Sequence, residues 1–238
     1  MASRPAFFPL LSVVGVDDTR TFEFAWSPGL SFTQKQRNVS ALHASIWRNF
    51  PVCKILEVSS KSTEQLGVCL SAFNLSFPTD DDFMPVETAF QASKVFEKAG
   101  PFPELYGKDP RLVRDYVRNL NAGKLIGFEI DGDRWELYPT RVFYDWFYIR
   151  ALSRNPKLSA AACKYDCFTD IEFNPQKSLN CQAYAVALYL SMRHVGVLDE
   201  ALKNKESFLH FHPADVVVVG KGTNSHVATT LTQPTFGF

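Results

Sequence analysis

The sequence predicts an α+β fold organised as a single domain. Three observations carry this. Stretches of period-two alternation and stretches of helical period follow one another without the regular strand–helix rhythm of a parallel α/β sheet. No internal repeat and no clear linker divides the chain. Finally, 238 residues, 46% of them hydrophobic, suffice to bury one substantial core.

The elements follow in order. Residues 21–26 alternate as a strand, and Ser27-Pro28-Gly29 ends it. Residues 33–50 place Val39, Leu42, Ile46 and Phe50 at helical spacing before Pro51 forces a break. Residues 54–59 read as a second strand. It ends in Ser59-Ser60-Lys61-Ser62, either an ordinary strand-to-helix turn or a lysine placed to meet a phosphate. The run Asp80-Asp81-Asp82 reads as a solvated loop. Pro85 then opens a helix with Glu87 at its positive end, continuing until Gly100-Pro101 stops it.

Residues 110–121 form a further helix whose Arg111, Arg114 and Arg118 share one face near Lys108. Asp115 interrupts that face, so it suits a row of phosphates or plain solubility equally. Residues 125–130 and 133–135 are a hairpin, because Asp131-Gly132 supplies the positive backbone angles such a turn needs. The helix over 142–153 carries Phe143, Tyr144, Trp146, Phe147 and Tyr148, a core element first and a stacking platform second. A short helix over 158–164 leads into a loop over 165–178 with Asp166, Asp170, Glu172 and Asn174. The apolar helix over 181–194 is closed by Gly196, and Asn180 near its start can cap it or face a ligand. Residues 216–219 are a valine strand within a C-terminal extension, 206–238, appended to a core of about 23–205.

Charge and cysteine usage exclude several classes. Lysine plus arginine balance aspartate plus glutamate at 25 each, so nucleic acid can be held only by a local basic patch. Five cysteines without regular spacing fit reduced thiols in a cytoplasm. Cys163 and Cys167 can share a helical face, but neither they nor His210-Phe211-His212 complete a metal set, so no metal and no cofactor is expected. The apolar N-terminus is broken by Pro9, and no uninterrupted apolar run reaches the ~18 residues a membrane helix needs.

On the helix opened by Pro85, Glu87, Gln91 and Lys94 fall on one stripe flanked by Phe90 and Val95. A carboxylate, an amide and an amine among apolar neighbours suit one wall of a pocket. Lys98 prolongs the stripe, and on this helix alone a solvated face with a weak Glu–Lys pairing is the simpler reading. Phe73, Pro85, Glu87, Phe90-Gln91-Ala92, Lys94 and Phe96 resemble the signature of the NADAR family, closest to its branch associated with DarT-type DNA ADP-ribosyltransferase toxins. Leu56-Glu57-Val58-Ser59-Ser60-Lys61-Ser62 and Thr169-Asp170-Ile171-Glu172-Phe173-Asn174-Pro175 are similar too, so the likeness spans roughly residues 23 to 202.

The resemblance implies a mainly helical domain with a small sheet, and an antitoxin N-glycoside hydrolase. Its substrate would be ADP-ribose joined to the guanine amino group of DNA, its product ADP-ribose, its functional partner the toxin. It implies Glu87 as acid/base and Lys94 as nucleophile or cation, with Asp170 and Glu172 supplying carboxylates from across the pocket. Lys61, Phe73, Phe90, Gln91, Asn174, Lys177 and Asn180 would bind substrate. The family's Trp-Gly-Asp-Gly-like loop is missing, although Lys177 and Asn180 of the helix start that follows it are kept. Two other roles stay open: hydrolysis of a small ribosylated metabolite such as a riboflavin-pathway intermediate, and non-catalytic binding of the toxin.

Overall fold

The computed structural model describes residues 1–78, 83–139 and 141–213. The acidic run at 80–82 and the valine strand at 216–219 lie outside them. The fold is α+β, mainly helical, with several small sheets. Strand β1 (Ala2–Pro5) is followed by β2 (Phe8–Pro9), β3 (Val16–Asp17) and β4 (Thr21–Phe24). Helix α1 (Phe32–Trp47), β5 (Ile55–Glu57), α2 (Gln65–Cys69), β6 (Ser76–Pro78) and β7 (Phe83–Pro85) come next. Then follow α3 (Val86–Ala92), β8 (Lys94–Phe96), α4 (Pro110–Arg118), β9 (Leu125–Ile130) and β10 (Asp133–Trp135). The described chain ends with α5 (Val142–Ser153), α6 (Pro156–Ala162), β11 (Cys167–Thr169), α7 (Gln182–Val195), α8 (Leu198–Ala201) and α9 (Lys205–Phe211).

Local chemistry explains the boundaries. Ser31 caps α1 by accepting from the Gln34 N–H at 3.2 Å. Asp109 does the same for α4, accepting from Arg111 and Leu112, with Pro110 as first helical residue. Asp131 and Gly132 have φ of 53° and 83°, and the β9–β10 hairpin closes on them as the sequence predicts. Gly196, φ 83°, ends α7 in the left-handed conformation.

The core is the aromatic face of α5 against α7. Tyr148, Phe147, Ile149 and Leu152 are fully buried, as are Ala185, Val186 and Leu188 opposite. Helix α5 spans the predicted residues. Strand β5 pairs in parallel with β11, which the sequence reading placed within a loop. Three residues are too few to show a period, so only the pairing with β5 reveals that strand. Cys167 is therefore buried in β11 while Cys163 is exposed at the end of α6, and the two do not share a helical face.

The helix opened by Pro85 is shorter than predicted. It ends at Ala92, and Lys94 is the first residue of a strand rather than part of a helical stripe that Lys98 prolongs. Ser93 turns the chain: its hydroxyl donates to the Phe90 carbonyl at 2.9 Å, and its own carbonyl accepts from Glu129 at 2.7 Å. Val95 and Phe96 favour extended backbone and find a partner in β9, with Lys94 opposite Phe128. Tertiary pairing overrides a helical propensity worth only tenths of a kcal/mol per residue.

Candidate functional site

Lys94 nevertheless reaches the same place as Glu87. A cavity of about 700 Å³ opens between α3, α4, the start of α5 and the loop ahead of α7. Its size suits a small organic ligand or nucleotide. Glu87, Phe90 and Gln91 come from α3 and Lys94 from β8, while Phe128 of β9 and Phe143 and Tyr144 of α5 form an aromatic floor. Phe128 and Phe143 stack at 4.6 Å, and Tyr144 meets Phe90 edge-on at 5.2 Å. The α5 aromatics thus serve as core and as cavity wall together.

The α3 wall is anchored at its base. The Val86 and Glu87 N–H groups donate to the Leu75 and Ala72 carbonyls at 2.8 Å each, and Ala72 N–H donates in turn to Gln182 Oε1 at 2.7 Å. Gln91 Nε2 donates to Glu87 Oε1 at 3.0 Å. Burial pushes the Glu87 carboxyl up, against Gln91, Arg114 and Lys94, which favour its charge. Burial likewise brings the Lys94 amine down to about 8, although Glu87 works the other way. The Lys94 amine also lies 5.4 Å from the Phe90 ring centre. With that pKa, roughly a tenth of the amine is neutral at pH 7, against well under a thousandth for a free lysine. The pair can stabilise a cationic centre, move a proton and offer a nucleophile from one wall.

The rest of the lining is rich in cations. Arg114, Arg118, Arg141 and Lys177 border the cavity with Lys94, against Glu87 and Glu136. In a chain of zero net charge this is a locally positive field, one that attracts anions. Two of the three α4 arginines face the cavity, and Asp115 lies 3.1 Å from Arg118 and 3.9 Å from Arg114.

The other residues singled out from sequence are divided. Lys177 and Asn180 line the cavity from the loop ahead of α7. Phe73 does not line it, but its ring lies 5.1 Å beneath the Arg114 guanidinium at the rim. Asn174 is spent on its own turn, accepting from the Gln176 N–H at 3.0 Å. Lys61 sits over Phe32 at 5.7 Å, away from the cavity. Glu172 is ion-paired with Lys35 at 2.9 Å and points outward. Asp170 is buried behind the cavity wall, accepting from the Glu172 and Phe173 N–H groups at 3.0 and 3.2 Å.

Asp170 is half of a buried carboxyl pair that sequence reasoning missed. Its partner, Glu57 at the end of β5, accepts from Ser59, Thr169 and the Ile171 N–H at 2.6, 2.7 and 2.8 Å. Burial pushes Glu57 up to about 7, and burial and Glu57 together push Asp170 well up, so the pair holds a proton near neutrality. His43, bonded to Thr169 at 2.9 Å, is brought down to about 4 by burial. Glu57 was legible only as one of three acids in the two similar blocks, with Asp170 and Glu172; the parallel β5–β11 pairing brings Glu57 and Asp170 together. Arg141 was also passed over, since it belongs to no short motif, whereas Tyr144 was named among the α5 aromatics as core first and stacking platform second.

Among the described residues no group of His, Cys, Asp and Glu is placed to hold a metal ion, and no helix is long and apolar enough to cross a membrane.

This α+β fold holds a buried acid and a buried amine in one cavity lined by further cations. The chain matches over residues 2–218 the family described as DarT1-associated NADAR antitoxin, and it belongs to that family. The description supports an antitoxin role with a DarT toxin as functional partner. No curated protein matches the chain.

Proposed function

We propose that the protein hydrolyses the N-glycosidic bond joining ADP-ribose to the guanine amino group in DNA, so undoing the modification made by a DarT-type toxin. The observation that carries this is the shared burial of Glu87 and Lys94 in one cavity. Breaking the bond leaves positive charge on the anomeric carbon, and the Glu87 carboxylate can stabilise that charge and take the proton that the attacking amine loses. Neutral Lys94 attacks the anomeric carbon. As its C–N bond forms, the bond to guanine breaks, and the guanine nitrogen keeps the electron pair and takes that proton from Glu87. The electron pair of the lysine nitrogen then expels the ring oxygen, which takes a proton, and the sugar opens. Water adds to the resulting lysine iminium, releasing ADP-ribose and restoring the amine. One water is consumed overall.

The test is release of ADP-ribose from a guanine-modified oligonucleotide, followed by mass spectrometry, for the parent chain and for Glu87→Gln and Lys94→Ala. Loss of at least a hundredfold in each variant supports the reading. Cleavage of a small ribosylated riboflavin-pathway amine in preference to the oligonucleotide replaces DNA as substrate. Full protection of toxin-expressing cells by both variants replaces catalysis with toxin binding.

A further inference from the structure

We propose that Arg141 is the anion receptor of this cavity and takes a diphosphate group. The nucleotide's identity rests on the reading above; the anion site does not. Arg141 has a φ of 73°, left-handed backbone that a non-glycine residue adopts only where its surroundings hold it, and it immediately precedes α5. That backbone lays its guanidinium carbon 3.7 Å from the Tyr184 ring centre, a stacked contact that fixes the plane of the fork. The side chain is largely buried yet lines the cavity.

Asp145 and Asp18 act on the guanidinium by charge, but neither carboxylate lies at hydrogen-bond distance from it. Asp18 comes no nearer than 3.9 Å, outside hydrogen-bond distance, and is itself part-exposed. Asp145 bonds His212 through Oδ2 at 3.0 Å, and its buried Oδ1 makes no hydrogen bond among the described residues. The cavity's other arginines are placed differently. Arg118 is about half exposed and bonded to Asp115 at 3.1 Å, and Arg114 lies over Phe73 at the rim. A planar, stacked, buried guanidinium loses little freedom on binding and matches two phosphate oxygens at once. Lys177, on the loop ahead of α7, lines the same cavity and adds a point charge.

Binding of inorganic diphosphate and of ADP-ribose to the full chain, measured by calorimetry, tests this with Arg141→Gln, Arg141→Lys and Arg118→Gln. The expected result is at least a thirtyfold loss for both ligands in Arg141→Gln, little recovery in Arg141→Lys, and less than threefold loss in Arg118→Gln. Circular dichroism checks folding; should Arg141→Gln melt, Arg141→Lys decides, a thirtyfold loss supporting the proposal and parental affinity overturning it. Absent diphosphate binding by the parent, an unchanged affinity in Arg141→Gln, or an equal loss in Arg118→Gln also overturns it. A parent that binds diphosphate through Arg141 yet releases no ADP-ribose from modified DNA overturns the hydrolase reading alone.

Discussion

Gln91 donates its side-chain amide to Glu87 Oε1 across one turn of α3, at 3.0 Å. A donor on that oxygen favours the charged carboxylate, and so opposes the burial that pushes Glu87 up. Gln91→Leu therefore raises the Glu87 pKa further. The acid limb of the kcat profile should move to higher pH, with kcat at neutral pH falling about tenfold. An unmoved acid limb would show that the contact does not set the charge on Glu87.

Lys94 supplies the basic side of that profile. With its amine at about 8, the proposed attack by the neutral amine predicts a rate that climbs as pH rises through 8 and then levels. Cyanoborohydride added during turnover should trap ADP-ribose covalently on Lys94, and Lys94→Arg should abolish both trapping and turnover. A rate that falls above pH 8, without trapping, would make Lys94 a cation that only stabilises charge.

The Glu57–Asp170 pair predicts a stability signature separate from catalysis. Glu57 is held up at about 7 when folded, so the native state keeps a proton that the unfolded chain releases above about 4.5. Its contribution is intact below that value and is lost as pH rises through 7. Glu57→Gln keeps the shape and can still bond Thr169 and Ile171. The variant should gain on the order of 2 kcal/mol over the parent at pH 8 and little at pH 5, read from urea midpoints. Equal effects at both pH values would contradict a proton held by the pair.

His212 and Asp145 are almost fully enclosed, and their contact is 3.0 Å. Removing the imidazole takes away its hydrogen bond to a buried Asp145 oxygen and leaves a void. His212→Ala should therefore cost about 3 kcal/mol, visible as a Tm drop of roughly 10 °C. Adding Asp145→Asn should restore part of it. Additive losses in the double variant would rule out coupling.

Much of the secondary structure was written locally: the Asp131-Gly132 turn, the α5 aromatic run and the Gly196 stop each state their own geometry in neighbouring residues. Composition and the Glu87-to-Phe96 signature were likewise enough to point to the family. What the chain alone misjudged was Lys94. A helix running on to Gly100 and a turn into β8 both bring it near Glu87, and local propensities do not separate them. The partner strand β9, some thirty residues further on, decides it by pairing Lys94 with Phe128. Asp170 failed for the same kind of reason. In sequence it is an acid in a polar loop, whereas the parallel β5–β11 pair buries it beside Glu57, behind the wall it was expected to face. Residues close in sequence declare their turns and caps, because those energies are local. Which wall a side chain faces depends on partners far away along the chain, and only packing settles that.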